Sequence, residues 1–187
     1  MPAVDAAQSM DDTPVGRAVL RLAMVVAFLG GVVLVAITAI TVFSVIGRAL
    51  IPFGLGAIPG DFELVQAGIL FAVFSFLPWC HLERGHAVVA IVTDRFPVRL
   101  SALAEFLWDV AMLVAAVFVA LRLWAGLLDK LGNRESTFIL RVPLWLIYSA
   151  GLVGAVVFVI AAVYCVARSG RNAVSRQPVP PLSGAGE

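Results

Sequence analysis

Long apolar runs separated by short polar segments make up most of the chain. Four stretches are strongly apolar, and they cover residues 22–47, 64–80, 110–121 with its flanks, and 142–167. A membrane span needs about 20 predominantly apolar residues, because each helical residue rises about 1.5 Å. Hydrocarbon offers the backbone no hydrogen-bonding partner, so spanning segments of this kind are helical. The pattern therefore predicts an all-α membrane protein with four transmembrane helices.

Helix breakers and charged residues between the runs predict where the helices end. Residues 48–62 contain two prolines and three glycines, which favour a compact loop. The second helix is predicted to begin near Asp61, because Asp61 and Glu63 then lie at the positive end of the helix dipole. The third helix is predicted over residues 101–128, and Pro143 suits the first turn of the fourth.

The segment between the second and third helices has a mixed character. Residues 81–100 are too polar to span a bilayer and too apolar to form an open loop. Charged residues flank an apolar centre, which is typical of a helix that lies in the membrane interface. We expect residues 87–96 to form a short interfacial helix that ends before Pro97.

Composition supports a single membrane domain. Hydrophobic residues make up 61% of the chain and the mean hydropathy is +1.02, which exceeds what a soluble domain of this size can bury. We expect a cytoplasmic tail at residues 1–17, a four-helix membrane domain at 18–168 and a disordered cytoplasmic tail at 169–187. The first apolar run is too long for a signal peptide. A net charge of +1 gives no indication of a nucleic-acid surface.

The positions of the basic residues predict the orientation. Cytoplasmic loops carry an excess of Lys and Arg. With a cytoplasmic N-terminus, eight basic residues lie on the cytoplasmic side: Arg17, Arg21, Arg84, Arg95, Arg99, Arg168, Arg171 and Arg176. Four lie on the opposite side: Arg48, Lys130, Arg134 and Arg141. Both termini are therefore predicted to be cytoplasmic, where Cys80 and Cys165 are expected to be reduced thiols.

Few residues are candidates for chemistry. His81 and His86 are five residues apart and lie at the predicted membrane edge, which favours structural or interfacial histidines over metal ligands. A haem anchor requires histidines on facing helices within the bilayer, and none lies at such a position in the sequence. We expect no catalytic residue, no cofactor and no metal.

Three charged residues lie inside the third predicted helix. Glu105 and Asp109 share one helix face, about 6 to 12 Å from its start, where headgroup water or a nearby arginine relieves the cost of the charge. Arg122 lies at a similar depth from the other end. Its long side chain either extends outward toward Asp129 or pairs with a partner subunit, and the sequence leaves both alternatives open.

Transport of a polar solute requires a binding site within the membrane that these residues do not provide. Secondary transporters usually place the substrate between paired discontinuous helices at mid-membrane. Here Pro78 is the one proline well inside an apolar run, and it lies near the end of that run. The chain is therefore predicted to be an accessory subunit.

Several short motifs now identify a family resemblance. Val-Ile-Gly-Arg at residues 45–48 closes the first predicted helix, and Phe-Glu-Leu at 62–64 opens the second. Glu-Arg-Gly-His-Ala-Val-Val follows at 83–89, and Asp-Arg-Phe-Pro at 94–97. In this order and spacing the motifs resemble the small permease subunit of tripartite ATP-independent periplasmic (TRAP) transporters, over about residues 20–167.

The resemblance implies a non-catalytic subunit in the bacterial inner membrane. Its expected partners are a large multi-helix permease subunit and a periplasmic substrate-binding protein. The implied activity is sodium-coupled import of organic acids, in which this chain is a fixed scaffold. The alternatives are a membrane anchor for a redox enzyme and a self-sufficient small exporter.

Four residues are the expected key positions. Arg48 and Glu63 end and begin consecutive antiparallel helices, so we expect them to pair across the loop and fix the hairpin. Arg84 and His86 belong to the Arg-Gly-His motif and are expected to form a contact at the membrane edge. Glu105, Asp109 and Arg122 are further structural or interface candidates.

Overall fold

A computed structural model describes residues 14–83 and 98–175, with side chains described for 14–83 and 103–171. The described residues form four long helices and a 3₁₀ turn, Ile51–Phe53. The helices are α1 (Pro14–Ala49), α2 (Asp61–Leu82), α3 (Val98–Asn133) and α4 (Leu144–Ser175). All four are long and apolar enough to cross a membrane. The predicted four-span, all-α architecture is confirmed for this part of the chain.

The helix ends match the sequence prediction at the start of α2 and differ from it at the end of α4. The helix α2 begins at Asp61 as predicted. The helix α4 continues to Ser175, so the prediction that residues 169–175 are disordered is wrong. No proline lies between Leu144 and Ser175, so none interrupts the helix over this range. The predicted interfacial helix, residues 87–96, lies outside the described residues.

The bundle is built around α4. Within the described residues α4 packs against each of the other three helices, α1 and α2 pack along each other, and α3 packs its backbone against α4 alone. The most apolar window of α4 is 50% buried, whereas that of α3 is 11% buried. The helix α4 is therefore the centre of the bundle and α3 is its edge.

Glycines bring α2 close to its neighbours. Gly154 on α4 lies against Phe74 of α2, and a Cβ at Gly154 would lie 2.8 Å from the Phe74 backbone. A Cβ at Gly68 of α2 would lie 2.5 Å from Cγ2 of Ile37 on α1. Lipid tails are as apolar as the helix surfaces, so the hydrophobic effect does not drive helices together in a membrane. Helices associate there mainly through close packing, which small residues permit. Gly68 and Gly154 therefore allow α2 to approach α1 and α4 closely.

Only one of two adjacent glycines on α1 contacts α2. Gly31 has no neighbour within 4 Å of its added Cβ, whereas a Cβ at Gly30 would lie 2.6 Å from Cβ of Ser75. Gly30 therefore faces α2 and Gly31 does not. Adjacent residues on a helix point about 100° apart, so one face accommodates only one of the two.

Candidate functional site

One polar cluster closes the loop between α1 and α2. Asp61 Oδ2 accepts hydrogen bonds from the Ser44 hydroxyl and from Nη2 of Arg48, the latter at 3.1 Å. The Ser44 Oγ in turn accepts the backbone N–H of Ile58 at 3.3 Å. The loop can approach α1 because Gly47 has no side chain: a Cβ there would lie 2.2 Å from a loop carbonyl oxygen. We call this group, Ser44, Arg48 and Asp61, the hairpin cluster.

The predicted Arg48–Glu63 pair does not form. Arg48 pairs with Asp61, and Glu63 makes its contacts elsewhere. Residues two positions apart on a helix point about 200° apart, so Asp61 and Glu63 cannot both face α1. Arg48 and Ser44 are four residues apart on one face of α1, which is the sequence signal that identifies Ser44 as a member of the cluster.

Glu63 instead holds the distant loop between α3 and α4. Its Oε1 accepts the backbone N–H of Ile139 at 2.8 Å, and its Oε2 accepts that of Leu140 at 3.0 Å. Hydrogen bonds to a carboxylate are stronger than those between neutral groups. One side chain at the start of α2 therefore fixes a loop that lies 76 residues later in the chain.

The captured loop is itself folded. Thr137 N–H donates to the Val142 carbonyl at 2.9 Å, and Leu144 N–H donates to the Glu135 carbonyl at 3.0 Å. Arg141 adopts a φ of 51°, a left-handed conformation that a non-glycine residue rarely takes. The two N–H groups that Glu63 binds precede Arg141 directly, so the carboxylate stabilises the strained turn.

A second polar cluster lies at the opposite end of the bundle. His81 of α2, Asp109 of α3 and Ser169 of α4 are each 2% exposed. The Ser169 hydroxyl donates to Asp109 Oδ2, and Nε2 of His81 lies 3.8 Å from Asp109 Oδ1. The His81 ring also makes an edge contact with Phe158, with centroids 5.9 Å apart. We call the group of His81, Asp109 and Ser169 the buried cluster, because it joins three helices away from solvent.

The buried cluster decides between alternatives for two predicted residues. His81 is buried, which agrees with a structural rather than an interfacial histidine, and Asp109 is 2% exposed, so headgroup water does not reach it. The cause is the extra length of α4, because Ser169 covers Asp109 from a segment that the composition assigned to the tail. Glu105, one turn earlier on α3, is half-buried. The sequence carried no signal for Ser169 at this site.

Arg122 lies outside both clusters, on the exposed surface of α3. Its guanidinium carbon lies 5.2 Å from the centroid of the Phe118 ring. The alternative in which Arg122 extends toward Asp129 is wrong, because Asp129 interacts with Lys130 at 3.3 Å and with Asn133 at 3.1 Å. No two of the predicted site residues Arg48, Glu63 and Arg122 therefore contact each other. Arg84 and His86 lie outside the described residues.

Comparison with known proteins decides the family. The model of the family described as tripartite ATP-independent periplasmic transporters, DctQ component, matches residues 37–172. The chain belongs to this family. The matched range contains the hairpin cluster, Glu63, the buried cluster and Arg122. No curated protein and no solved structure matches the chain.

Membership of the DctQ family makes this chain the small permease subunit of a TRAP transporter, a multi-pass membrane protein. DctQ components work with a large permease subunit and a periplasmic binding protein. The family is a transporter component rather than an enzyme. The resemblance seen in the motifs of the sequence is thereby confirmed.

Cavities lined by described residues of this DctQ-family chain lie between α3 and α4 and beside Glu63. A groove of about 340 Å³ between α3 and α4 is lined by aliphatic side chains and Trp124. A second cavity, of about 280 Å³, lies beside Glu63 and Gln66 near the captured loop. In the part of the chain that the structure describes, no group of three or more His, Cys, Asp or Glu side chains could hold a metal ion.

Proposed function

We propose that this chain is the fixed scaffold of a sodium-coupled, binding-protein-dependent importer of organic acids in the bacterial inner membrane. Both termini are cytoplasmic in this proposal. The large permease subunit carries the solute and the coupling ions, and the small subunit braces it. The DctQ family supports the pairing with a large permease, and the internal contacts of the chain support the role of a brace.

One observation supports the scaffold role most directly: the polar side chains of the two clusters form contacts within the chain. The hairpin cluster ties α1 to the start of α2, Glu63 ties α2 to the loop before α4, and the buried cluster ties α2 to α3 and α4. Each contact is made at an end of the bundle. Between the ends the described seams consist of glycines and apolar side chains in close contact, together with Ser75, whose hydroxyl donates to the Phe71 carbonyl of its own helix. Such an arrangement resists internal rearrangement, and among the described residues these seams offer a polar solute no free binding group.

The two alternatives receive no support from these observations. A redox anchor and a self-sufficient exporter both lie outside a family whose members work with a large permease. His81, the one histidine among the described residues, lies against Asp109 and Phe158.

A reversible cross-link between α1 and α2 tests the scaffold role. A Cβ at Gly68 would lie 2.5 Å from Cγ2 of Ile37, so the double substitution Ile37→Cys and Gly68→Cys removes that clash. It also places the two Cβ atoms near the roughly 3.5–4.5 Å separation of a disulfide. The substitutions are made in a background in which Cys80 and Cys165 are replaced by alanine, with the single-cysteine variants as controls.

The measurement is binding-protein-dependent uptake by the complete transporter in vesicles, oxidised and then reduced. A fixed scaffold predicts equal uptake in both states, because no step requires α1 to move relative to α2. Loss of uptake on oxidation that reduction restores, and that the single-cysteine variants do not show, would contradict the scaffold role.

A further inference from the structure

Arg122 occupies an unusual position on α3. It is exposed, and two neighbours, Phe118 one turn earlier at 57% exposed and the adjacent Leu121 at 63%, belong to an outward apolar stripe. Every other exposed charge in the described helices lies within two turns of a helix end. We call the stripe of Val114, Phe118, Leu121 and Arg122 the α3 face.

The charge of Arg122 points toward the middle of the membrane. The helix α3 runs from Val98 to Asn133, so its middle lies near residues 115 and 116, less than one turn from Phe118. Bonds from Cα to Cβ tilt toward the N-terminus of a helix, so the Arg122 side chain is directed away from the near end at Asn133. The position of the guanidinium over Phe118, four residues earlier, agrees with this direction. The side chain points toward the middle of the helix in either orientation of the chain in the bilayer.

A single aromatic ring does not make this position favourable. Charged side chains at the bilayer centre are costly, and they almost always face a bundle interior or a paired charge. A cation–π contact offsets only part of that cost. Within the described residues, the Phe118 ring is the contact of Arg122 and no carboxylate lies within salt-bridge distance. The side chain therefore has no counter-charge among the residues that the structure describes.

We propose that the α3 face binds the large permease subunit and that Arg122 pairs there with a carboxylate on one of its transmembrane helices. This inference rests on the proposed function, which supplies the partner. The charge complementarity identifies the kind of residue, an Asp or Glu at mid-membrane depth. The edge position of α3, with its 11% buried window, leaves this face available.

The apolar groove beside Arg122 extends the same surface. Leu121 and Trp124 of α3 and Val156 of α4 line its roughly 340 Å³. An apolar side chain next to the partner carboxylate would fill the groove while the carboxylate binds Arg122. Because the groove adjoins the only mid-span charge exposed in the described helices, the two features define one docking surface.

Substitution of Arg122 tests the charge pair. Arg122→Gln in the co-expressed complex is expected to weaken binding of the large subunit about 30-fold or more, because it leaves a carboxylate unpaired in the membrane. Arg21→Gln, an exposed arginine near the start of α1, is the matched control and is expected to leave binding unchanged. Removing a mid-membrane charge favours insertion, so equal amounts of both variants in the membrane are expected.

A charge exchange identifies the partner residue. In a chain that carries Arg122→Glu, each acidic residue in the membrane helices of the large subunit is changed to arginine in turn. One such exchange is expected to restore binding. Failure of every exchange, together with wild-type binding by Arg122→Gln, would overturn the charge pair.

Photo-cross-linking tests the face itself. A photo-reactive phenylalanine analogue replaces Phe118 in one variant and Phe28 in the other, since Phe28 is an equally aromatic, 71% exposed residue on α1. We expect an adduct with the large subunit from position 118 and not from position 28. The inference would be overturned if position 118 formed adducts only with lipid or only with a second copy of this chain. It would also be overturned if position 28 alone formed adducts with the large subunit. If the wild-type chain fails to co-purify with the large subunit, the proposed function itself fails, which separates the two failures.

Discussion

The helices α3 and α4 have similar lengths and both are strongly apolar, yet one is half buried and the other is not. The apolar window of α4 is 50% buried and that of α3 is 11%. Five of the eleven buried residues of α4 are glycine or alanine, whereas the outward residues of α3 are bulky. The five are Gly151, Gly154, Ala155, Ala161 and Ala162. In a membrane, hydrophobicity does not decide which helix becomes the core, because lipid is equally apolar; closeness of approach does.

The largest expected effect concerns a glycine at the centre of α4. Gly154→Ala places a Cβ 2.8 Å from the Phe74 backbone, which cannot move aside as a side-chain end can. We expect a loss of about 1–3 kcal/mol in the free energy of unfolding, as for other overpacked cores. The measurement is reversible unfolding of the purified chain in mixed micelles.

The matched control lies on α3. Gly132→Ala has no atom within 4 Å of the new Cβ. The substitution is expected to leave stability unchanged or to raise it by up to about 1 kcal/mol through helix propensity. Equal losses at Gly154 and Gly132 would remove the distinction between a core helix and an edge helix.

Asp109 is the main polar link between the two helices. Asp109→Ala removes the acceptor of the Ser169 hydroxyl and leaves that buried group and His81 without this partner. The expected loss is about 1–3 kcal/mol, the cost of an unsatisfied buried group. Ser169→Ala, which leaves the carboxylate its other contact, is expected to cost less. A larger effect of Ser169→Ala than of Asp109→Ala, in the same unfolding assay, would show that the carboxylate is not the centre of the cluster.

Glu63 controls the loop that joins the same two helices. Glu63→Gln keeps the size of the side chain but replaces one acceptor oxygen by an NH₂ group, so one of the two bonds to Ile139 and Leu140 is lost. We expect faster tryptic cleavage after Arg141, reduced transport or complex stability, and normal membrane insertion. Cleavage, uptake and co-purification all at the wild-type level would contradict the role of Glu63.

The smallest effect is expected at the exposed ion pair of the hairpin cluster, which involves neither α3 nor α4. The Arg48 side chain is 60% exposed, and such pairs contribute at most about 1 kcal/mol. Arg48→Gln is therefore expected to change the free energy of unfolding less than Ser44→Ala, since Ser44 is 1% exposed. A larger effect of Arg48→Gln than of Ser44→Ala in the unfolding assay would show that the ion pair, rather than the buried serine, stabilises the hairpin.

The sequence predicts the parts of this fold that depend on local pattern. The number of spans and the start of α2 at Asp61 follow from apolar run length and from the first-turn acids. The contacts of Glu63 and Asp109 do not, because their partners lie 76 and 60 residues away and no periodicity connects them. The direction of Arg122 follows from the tilt of helical Cα–Cβ bonds, a signal that counting its depth alone misses.

Solute uptake into reconstituted vesicles tests the central claim that this chain supports transport without carrying solute. An inward sodium gradient, a radiolabelled organic acid and the binding protein are supplied to three preparations: this chain alone, the large subunit alone, and both together. The account predicts full uptake only from the pair and none above empty vesicles from this chain alone. Accumulation of the acid by vesicles that contain this chain alone would contradict it.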